Sequence, residues 1–175
     1  MKIFIYVGCF LALIICQESI RYTVVPEESN IFWIGRKVTG EHYGTINIKK
    51  GYIDINENSV TSGEFFIDMN SIKVLDMSEA YNKKLQKHLE SSDFFTVDKF
   101  SEASFKIKDT YDFFMIDNIL FNGDLTIKNE TLETIIPATI SINDSIAESI
   151  GIINVDRTLF GIIYGSGSFF DDIAD

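Results

Sequence analysis

Few residues of this chain have the types and spacing that metal or thiol chemistry requires. The two histidines, His42 and His88, lie far apart and show no ligand-like spacing to cysteine or aspartate. A zinc site needs three or four such ligands, so no metal site is predicted. Both cysteines, Cys9 and Cys16, lie in the first 16 residues. No thiol nucleophile would remain if that segment were removed.

Motifs for covalent catalysis are also missing from the sequence. It contains no G-x-S-x-G nucleophile elbow and no glycine-rich loop that would cradle phosphates. Residues 164–168 (YGSGS) come nearest, and we interpret them as a turn. We interpret Asp171 and Asp172 as part of a solvated loop. No catalytic residue is therefore predicted, and we expect a protein that is not an enzyme and that needs no cofactor.

The charge balance narrows the possible partners. The chain has 15 Lys and Arg against 26 Asp and Glu, a net charge of −11. A nucleic-acid-binding protein must neutralise phosphates, so nucleic acid is not an expected partner. The same balance argues against electrostatic docking on an anionic membrane surface. The oligomeric state stays open.

The N-terminus has the pattern of an export signal. Residues 3–15 form an apolar run that is too short to span a bilayer but typical of a signal-peptide core. We expect a signal peptide over residues 1–16, possibly to 19, one domain over residues 20–175, and no transmembrane span in the mature chain. The protein would be periplasmic or secreted. A lipoprotein anchored at Cys16 is the less favoured alternative, because Ile15 fits a lipobox poorly.

Beyond residue 20 the dominant sequence period is two, which indicates strands with one buried and one wet face. Clear examples are residues 45–49, 52–56, 125–128 and 138–143. Turns are predicted at residues 50–51, 56–58, 122–123, 143–144 and 165–167. Residues 64–69 and 111–121 are apolar on both faces and are predicted to be strands covered on their outer side. Many short strands favour a barrel or a sandwich.

One helix is predicted, over residues 78–91. Ser78 can cap it, and Tyr81, Leu85 and Leu89 recur at helical spacing opposite a charged face. Such an amphipathic helix either packs on the barrel, which we favour, or lies on a membrane surface. The apolar faces of the strands also leave two possibilities, because they could fill a core or line a cavity for an apolar ligand.

Five segments in order resemble the YceI family of polyisoprenoid-binding, lipocalin-like proteins. They are residues 33–46 (WIGRKVTGEHYGTI), 63–72 (GEFFIDMNSI), 84–105 with its "HLESSDFF" turn, 123–128 (GDLTIK) and 155–166. The resemblance implies an all-β fold, an extended antiparallel lipocalin-like barrel of about 8 strands with one short amphipathic helix. It also implies a long isoprenoid or isoprenoid-quinone-like lipid inside the barrel. The family usually continues into a further strand, so the domain is expected to lack that last strand.

On this hypothesis, apolar side chains would form the wall of the cavity and cationic ones would meet a lipid head group at its mouth. The wall candidates are Trp33, Phe65, Ile67, Met69, Phe105, Phe121 and Ile140. The head-group candidates, which have weaker support, are Arg36, His42, His88 and Arg157. The main alternative is a secreted barrel with a packed interior that interacts with other molecules or is structural. An enzyme acting on a lipid in the barrel is the third possibility.

Overall fold

The computed structural model describes residues 18–37, 40–57, 59–112, 118–143 and 145–165. Within these residues there are eight strands and one α-helix, α1, which spans Glu79–Glu90. A short 3-10 helix precedes the second strand and another, Arg157–Phe160, follows the last strand. The strands are β1 Ile20–Thr23, β2 Ile31–Lys37, β3 Gly40–Asn56, β4 Ser59–Val74, β5 Glu102–Asp112, β6 Asn118–Ile127, β7 Glu130–Asn143 and β8 Ile146–Gly151.

All eight strands belong to one antiparallel sheet. Its order is β1-β3-β4-β5-β6-β7-β8, and β2 pairs with the first part of β3 on the same side as β1. The sheet curls nearly into a barrel. Consecutive strands are neighbours from β2 onward, and the connection from β4 to β5 contains α1. The predicted all-β fold of about 8 strands with one short helix is therefore confirmed.

The period-two pattern sorts side chains onto the two faces of the sheet. In β7, Leu132, Ile136 and Ile140 point inward and are half-buried, whereas Ile135 points outward and is 55% exposed. In β5, Phe105 and its alternate neighbours are buried in the same way. Alternation of this kind places one apolar face on a common core.

Two apolar clusters fill the inner side of the sheet. The barrel cluster gathers residues of β3 to β7 with the 3-10 helix at 157–160, among them Ile55, Phe105, Phe121 and Phe160. The helix cluster joins the inner faces of β3, β4 and β5 to α1 through Ile46, Met69, Val74, Leu89 and Ala103. Phe94, Phe95 and Ile127 contact both clusters. The core is therefore continuous from the sheet to the helix.

Two predicted turns are wrong. Residues 50–51 lie inside β3 and residues 122–123 lie inside β6. The glycines at these positions allow close approach of neighbouring groups instead of a reversal of the chain. A Cβ on Gly51 would lie 2.8 Å from the Glu64 carbonyl oxygen, and one on Gly123 would collide with the carbonyl oxygen of Lys106. Glycine inside a strand often marks such an approach.

The predicted strand over residues 111–121 is also wrong as one strand, because β5 ends at Asp112 and β6 begins at Asn118. Tyr111 of β5 lies opposite Leu120 of β6 in the antiparallel register. The predicted turn at 56–58 is confirmed, since β3 ends at Asn56, Glu57 has a positive φ of 47° and β4 begins at Ser59. The predicted turn at 143–144 separates β7 from β8.

The predicted helix is confirmed. Ser78 occupies its N-cap position, but the Ser78 side chain makes no capping hydrogen bond. Leu89 is buried and Leu85 is half-buried against the helix cluster. Tyr81 does not continue this stripe, because it is 66% exposed. The apolar face of α1 therefore packs on the sheet, as favoured by the sequence.

We expect Gly44→Ala to destabilise the fold by about 3 kcal/mol or more, because it overpacks a tight contact. An added Cβ would overlap the carbonyl oxygen of Lys73 on β4 and lie 2.7 Å from a Trp33 ring carbon. Gly35→Ala is the matched control, since the nearest atom of the described residues to its Cβ would be a Trp33 ring carbon at 3.8 Å. Urea unfolding of both variants measures the difference, and equal stabilities would contradict this account of the β2–β3–β4 packing.

An ion pair attaches the short strand β1 to β3. The Arg21 guanidinium donates to both carboxylate oxygens of Asp54 at 2.7 Å and lies 3.8 Å from the centre of the Tyr52 ring. The Ser62 hydroxyl donates to the same carboxylate at 2.7 Å. The hydrogen bond from Arg21 lowers the pKa of Asp54 to about 2; burial opposes this shift and Ser62 supports it.

The lowered pKa of Asp54 makes its contribution to stability pH-dependent. The pKa lies below the ordinary value of 3.8, so the stabilisation is present above about pH 4 and is lost as pH falls toward 2. We expect Asp54→Asn to cost on the order of 1–2 kcal/mol at pH 7. The difference in unfolding free energy between the wild type and the variant should shrink between pH 4 and pH 2. A difference that stays constant over this range would contradict the assigned ion pair.

Candidate functional site

The seven predicted wall residues come together on the inner side of the sheet. Phe65, Phe105, Phe121 and Ile140 belong to the barrel cluster or pack against it. Trp33, Ile67 and Met69 belong to the helix cluster or pack against it. The alternation of each strand puts them there, and the antiparallel order carries them from β2 across to β7. Whether they contact a ligand stays a prediction.

Burial divides these seven residues into two groups. Met69, Phe105 and Phe121 are covered by protein alone, with 5–6% of their surface exposed. Trp33, Phe65, Ile67 and Ile140 are half-buried, so each keeps apolar surface that the protein does not cover. The Trp33 indole N–H donates to the Thr45 carbonyl at 3.2 Å, which fixes the orientation of the ring.

The turn after α1 closes one end of the inner face. The backbone N–H of Phe95 donates to the Leu89 carbonyl at 3.0 Å, and that of Thr96 donates to the Ser91 carbonyl at 2.8 Å. Thr96 is buried and has a positive φ of 54°, which reverses the chain. This geometry brings Phe94 and Phe95 edge-to-face, with ring centres 5.1 Å apart, between the two clusters.

Two of the head-group candidates meet at this closed end. The His88 ring lies edge-on to Phe94 at 5.8 Å and to Tyr164 at 4.4 Å. The Arg157 guanidinium lies 5.1 Å from the centre of the Phe94 ring and donates to the Ile162 carbonyl at 2.7 Å. His88 Nε2 is buried and has no hydrogen-bond partner within the described ranges. Buried polar atoms are usually hydrogen-bonded, so this nitrogen keeps an unused capacity to bond a further polar group.

The other two head-group candidates lie apart from this group, where the β2–β3 hairpin and the residues before α1 meet. His42 Nδ1 contacts Asp76 Oδ2 at 2.8 Å, and Arg36 Nε lies 3.4 Å from Glu41 Oε2 on the exposed surface. Burial disfavours the charge of Asp76, but hydrogen bonds from His42 and from the Tyr43 backbone outweigh it and lower the pKa of Asp76. Arg36 and His42 thus already have acidic partners.

Sequence reasoning missed several residues of the inner face. Phe94 and Phe95 stood within a quoted motif but were not assigned to the site. Ile136 shares the parity of Ile140 along β7, so the same alternation could have identified it. Tyr164 was interpreted only as part of a turn, and no local pattern in the sequence predicts its contact with His88.

The described residues hold no group of three or more His, Cys, Asp and Glu that could bind a metal ion. In the same part of the chain, no helix is long and apolar enough to cross a membrane. Cys9 and Cys16, the proposed signal peptide over residues 1–16, and the segment 166–175 that includes Asp171 and Asp172 lie outside the described residues.

The fold and the site define a class: a lipocalin-like antiparallel barrel with an apolar inner face that a helix and its following turn cover at one end. The sequence pattern of the YceI-like domain matches residues 22–175, and the chain belongs to this family. No functionally curated protein matches it.

Two solved structures share this fold. BcnA of Burkholderia cenocepacia has a TM-score of 0.68 at 18% identity, with 83% of this chain and 87% of that chain covered. A cysteine variant of the Campylobacter jejuni YceI protein, crystallised with monobromobimane as a guest, has a TM-score of 0.52 at 14% identity. That match covers 97% of this chain and 90% of the other.

Proposed function

We propose that this protein binds a long apolar lipid of the polyisoprenoid or isoprenoid-quinone type on the inner face of its sheet, and that it carries this lipid without chemically changing it. Membership of the YceI-like family supports this proposal. The structural support is an inner face that is apolar from β2 to β7. Burial of an apolar chain there would contribute about 25 cal/mol per Å² removed from water.

The observation that carries the proposal is the half-burial of inward-facing apolar side chains. Trp33, Phe65, Ile67 and Ile140 point to the interior yet keep surface that the protein leaves uncovered. An apolar ligand that covers such side chains removes their surface from water, and this stabilises the complex. Phe105 and Phe121 are fully buried, so they would instead pack beneath the side chains that contact the ligand.

A polar head group would lie at the end that α1 covers. His88 Nε2 is buried there with no partner among the described residues, and Arg157 contacts the same Phe94 ring. An imidazole nitrogen and a guanidinium can bond a carbonyl, hydroxyl or phosphate oxygen. His42 and Arg36 are weaker candidates in the structure, since His42 already contacts Asp76 and Arg36 already contacts Glu41.

A second candidate function is a secreted barrel with a packed interior that acts through its surface. The burial of Met69, Phe105, Phe121 and Ile119, each at 6% exposure or less without a ligand, favours it. In either case the apolar run over residues 3–15 supports export to the periplasm or beyond the cell.

The first test is mass spectrometry of the organic extract from the purified folded protein, with the amount of lipid per chain. We expect one isoprenoid-type lipid per chain. Ile140→Gln should lower the bound lipid by about fivefold or more, because a buried amide without a partner costs about 1–3 kcal/mol. Ile135→Gln is the matched control, since Ile135 points outward on the same strand and its replacement should leave the lipid content unchanged.

A lipid-free extract from the folded wild type would overturn the lipid-carrier proposal and leave the packed barrel. Equal losses in the two β7 variants would place the lipid somewhere other than the inner face. Circular dichroism of both variants separates loss of binding from loss of folding.

We expect His88→Ala to weaken binding of an isoprenoid alcohol about fivefold, the value of one hydrogen bond, and to leave binding of an isoprenoid hydrocarbon of equal chain length unchanged. His42→Ala should change neither affinity, because that ring contacts Asp76. Fluorescence competition with the two ligands provides the measurement. An equal loss for both ligands in His88→Ala would show that this histidine only supports packing.

A further inference from the structure

An apolar patch lies on the outer face of the sheet, next to the start of α1. Phe32 is 77% exposed, Ile34 55%, Tyr43 51% and Leu75 50%. Ile34 lies directly opposite Tyr43 in the β2–β3 register, and the Leu75 backbone N–H donates to the Tyr43 carbonyl at 3.0 Å. These four side chains therefore form one surface, which we call the end patch. Contiguous exposed apolar surface of this kind marks an interaction site.

The charge around the end patch differs in sign from that of the whole protein. Residues 31–46 and 70–90 carry six Lys and Arg against four Asp and Glu, although the chain as a whole has a net charge of −11. Glu41 lies beside Arg36, Asp76 beside His42, and Glu79 beside Lys83. Within the described residues, no carboxylate lies within ion-pair distance of Lys37, Lys73, Lys84 or Lys87. These exposed lysines give a locally cationic surface to an acidic protein.

A groove joins the end patch to α1. It has a volume of about 260 Å³ and runs between the end of β4 and the first turns of the helix. Lys73 and Leu75 line it on the strand side, and Glu79, Asn82, Lys83 and Gln86 line it on the helix side. Tyr81, 66% exposed, adds an aromatic ring to the helix. Glu79 pairs with Lys83, so Lys73 and the Asn82 amide are the donors at this groove that suit a phosphate head group.

We propose that the end patch, the groove and the outward lysines of α1 together dock the protein on an anionic phospholipid bilayer. Aromatic rings beside lysines are typical of side chains that lie at a membrane–water interface. A symmetric contact between two copies would bring the same lysines together, so a second copy is disfavoured. The inference extends the proposed function, because docking would place the α1 end beside the membrane from which a lipid is taken up.

The sequence argument against membrane docking rested on net charge alone. The fold changes this argument because it gathers β2, the end of β4 and α1 on one surface, while acidic residues predominate over the remainder of the chain. Electrostatic attraction to a bilayer falls off within about 10 Å. The local charge of the docking surface therefore matters more than the total charge.

The test is co-sedimentation of the full protein with vesicles of 30% phosphatidylglycerol in phosphatidylcholine, compared with pure phosphatidylcholine vesicles. We expect binding only to the anionic vesicles and release by high salt. Each lysine near such a surface contributes about fivefold to partitioning. Lys84→Glu with Lys87→Glu should therefore lower binding about 25-fold or more. Lys50→Glu with Lys106→Glu is the matched control, with the same charge change on exposed residues of β3 and β5.

Phe32→Ser with Tyr81→Ser should also lower vesicle binding, and Ile135→Ser is its control. Binding that is equal on both vesicle types, or equal losses in the two charge-reversal pairs, would overturn the proposal. The proposal would also be overturned if the protein self-associated without vesicles and the Lys84→Glu with Lys87→Glu variant did not. That result would assign the surface to a second copy of the chain. Extracted lipid is quantified on the same samples. A variant that no longer sediments with vesicles but keeps its lipid content would show that docking and lipid binding are separate. Failure of the lipid-binding proposal would instead appear as a lipid-free extract from the wild type.

Discussion

The contact of Phe94 and Phe95 with both apolar clusters is the interaction on which the interior of this protein depends. The inner face of the sheet extends from β2 to β7, and its end near α1 would meet water if the turn after the helix were elsewhere. Backbone hydrogen bonds from Phe95 and Thr96 to the end of the helix hold that turn in place. Covering apolar surface contributes about 25 cal/mol per Å² to stability. Phe94 and Phe95 therefore stabilise the fold by keeping water from that end of the core.

The long strands β3 and β4 stay paired along their length although their register shifts on the way. Shifts occur between Thr45 and Asn47, between Ile48 and Lys50, and between Asp54 and Ile55. Such irregularities increase local twist and bend a strand without ending it. Glycines at the tightest points, Gly44 above all, leave room for the neighbouring backbone and the Trp33 ring. The same register shifts and close glycine contacts therefore curve the sheet and place the predicted wall residues.

The two ends of α1 have different surroundings. Near its start, Asp76 contacts His42 and the groove beside Lys73 opens outward. Near its end, His88 lies against Phe94 and Tyr164, with one ring nitrogen buried and unpartnered in the described chain. The helix therefore has solvent and basic side chains on one side and the apolar interior on the other. The fold thus links the proposed cavity to the proposed docking surface.

The sequence by itself determined the period-two faces, the helix and the inward parity of Phe65, Ile67 and Met69, because these depend only on local spacing and on apolar burial. The ordered motifs were also sufficient to identify the family. Only the tertiary structure decided that residues 50–51 and 122–123 lie within strands, since a glycine that allows close approach and one that makes a turn look alike in sequence. It also decided that His88 and Arg157 meet at Phe94 while His42 pairs with Asp76. Those contacts join segments far apart in the chain, and the strand register and the turn after α1 bring them together.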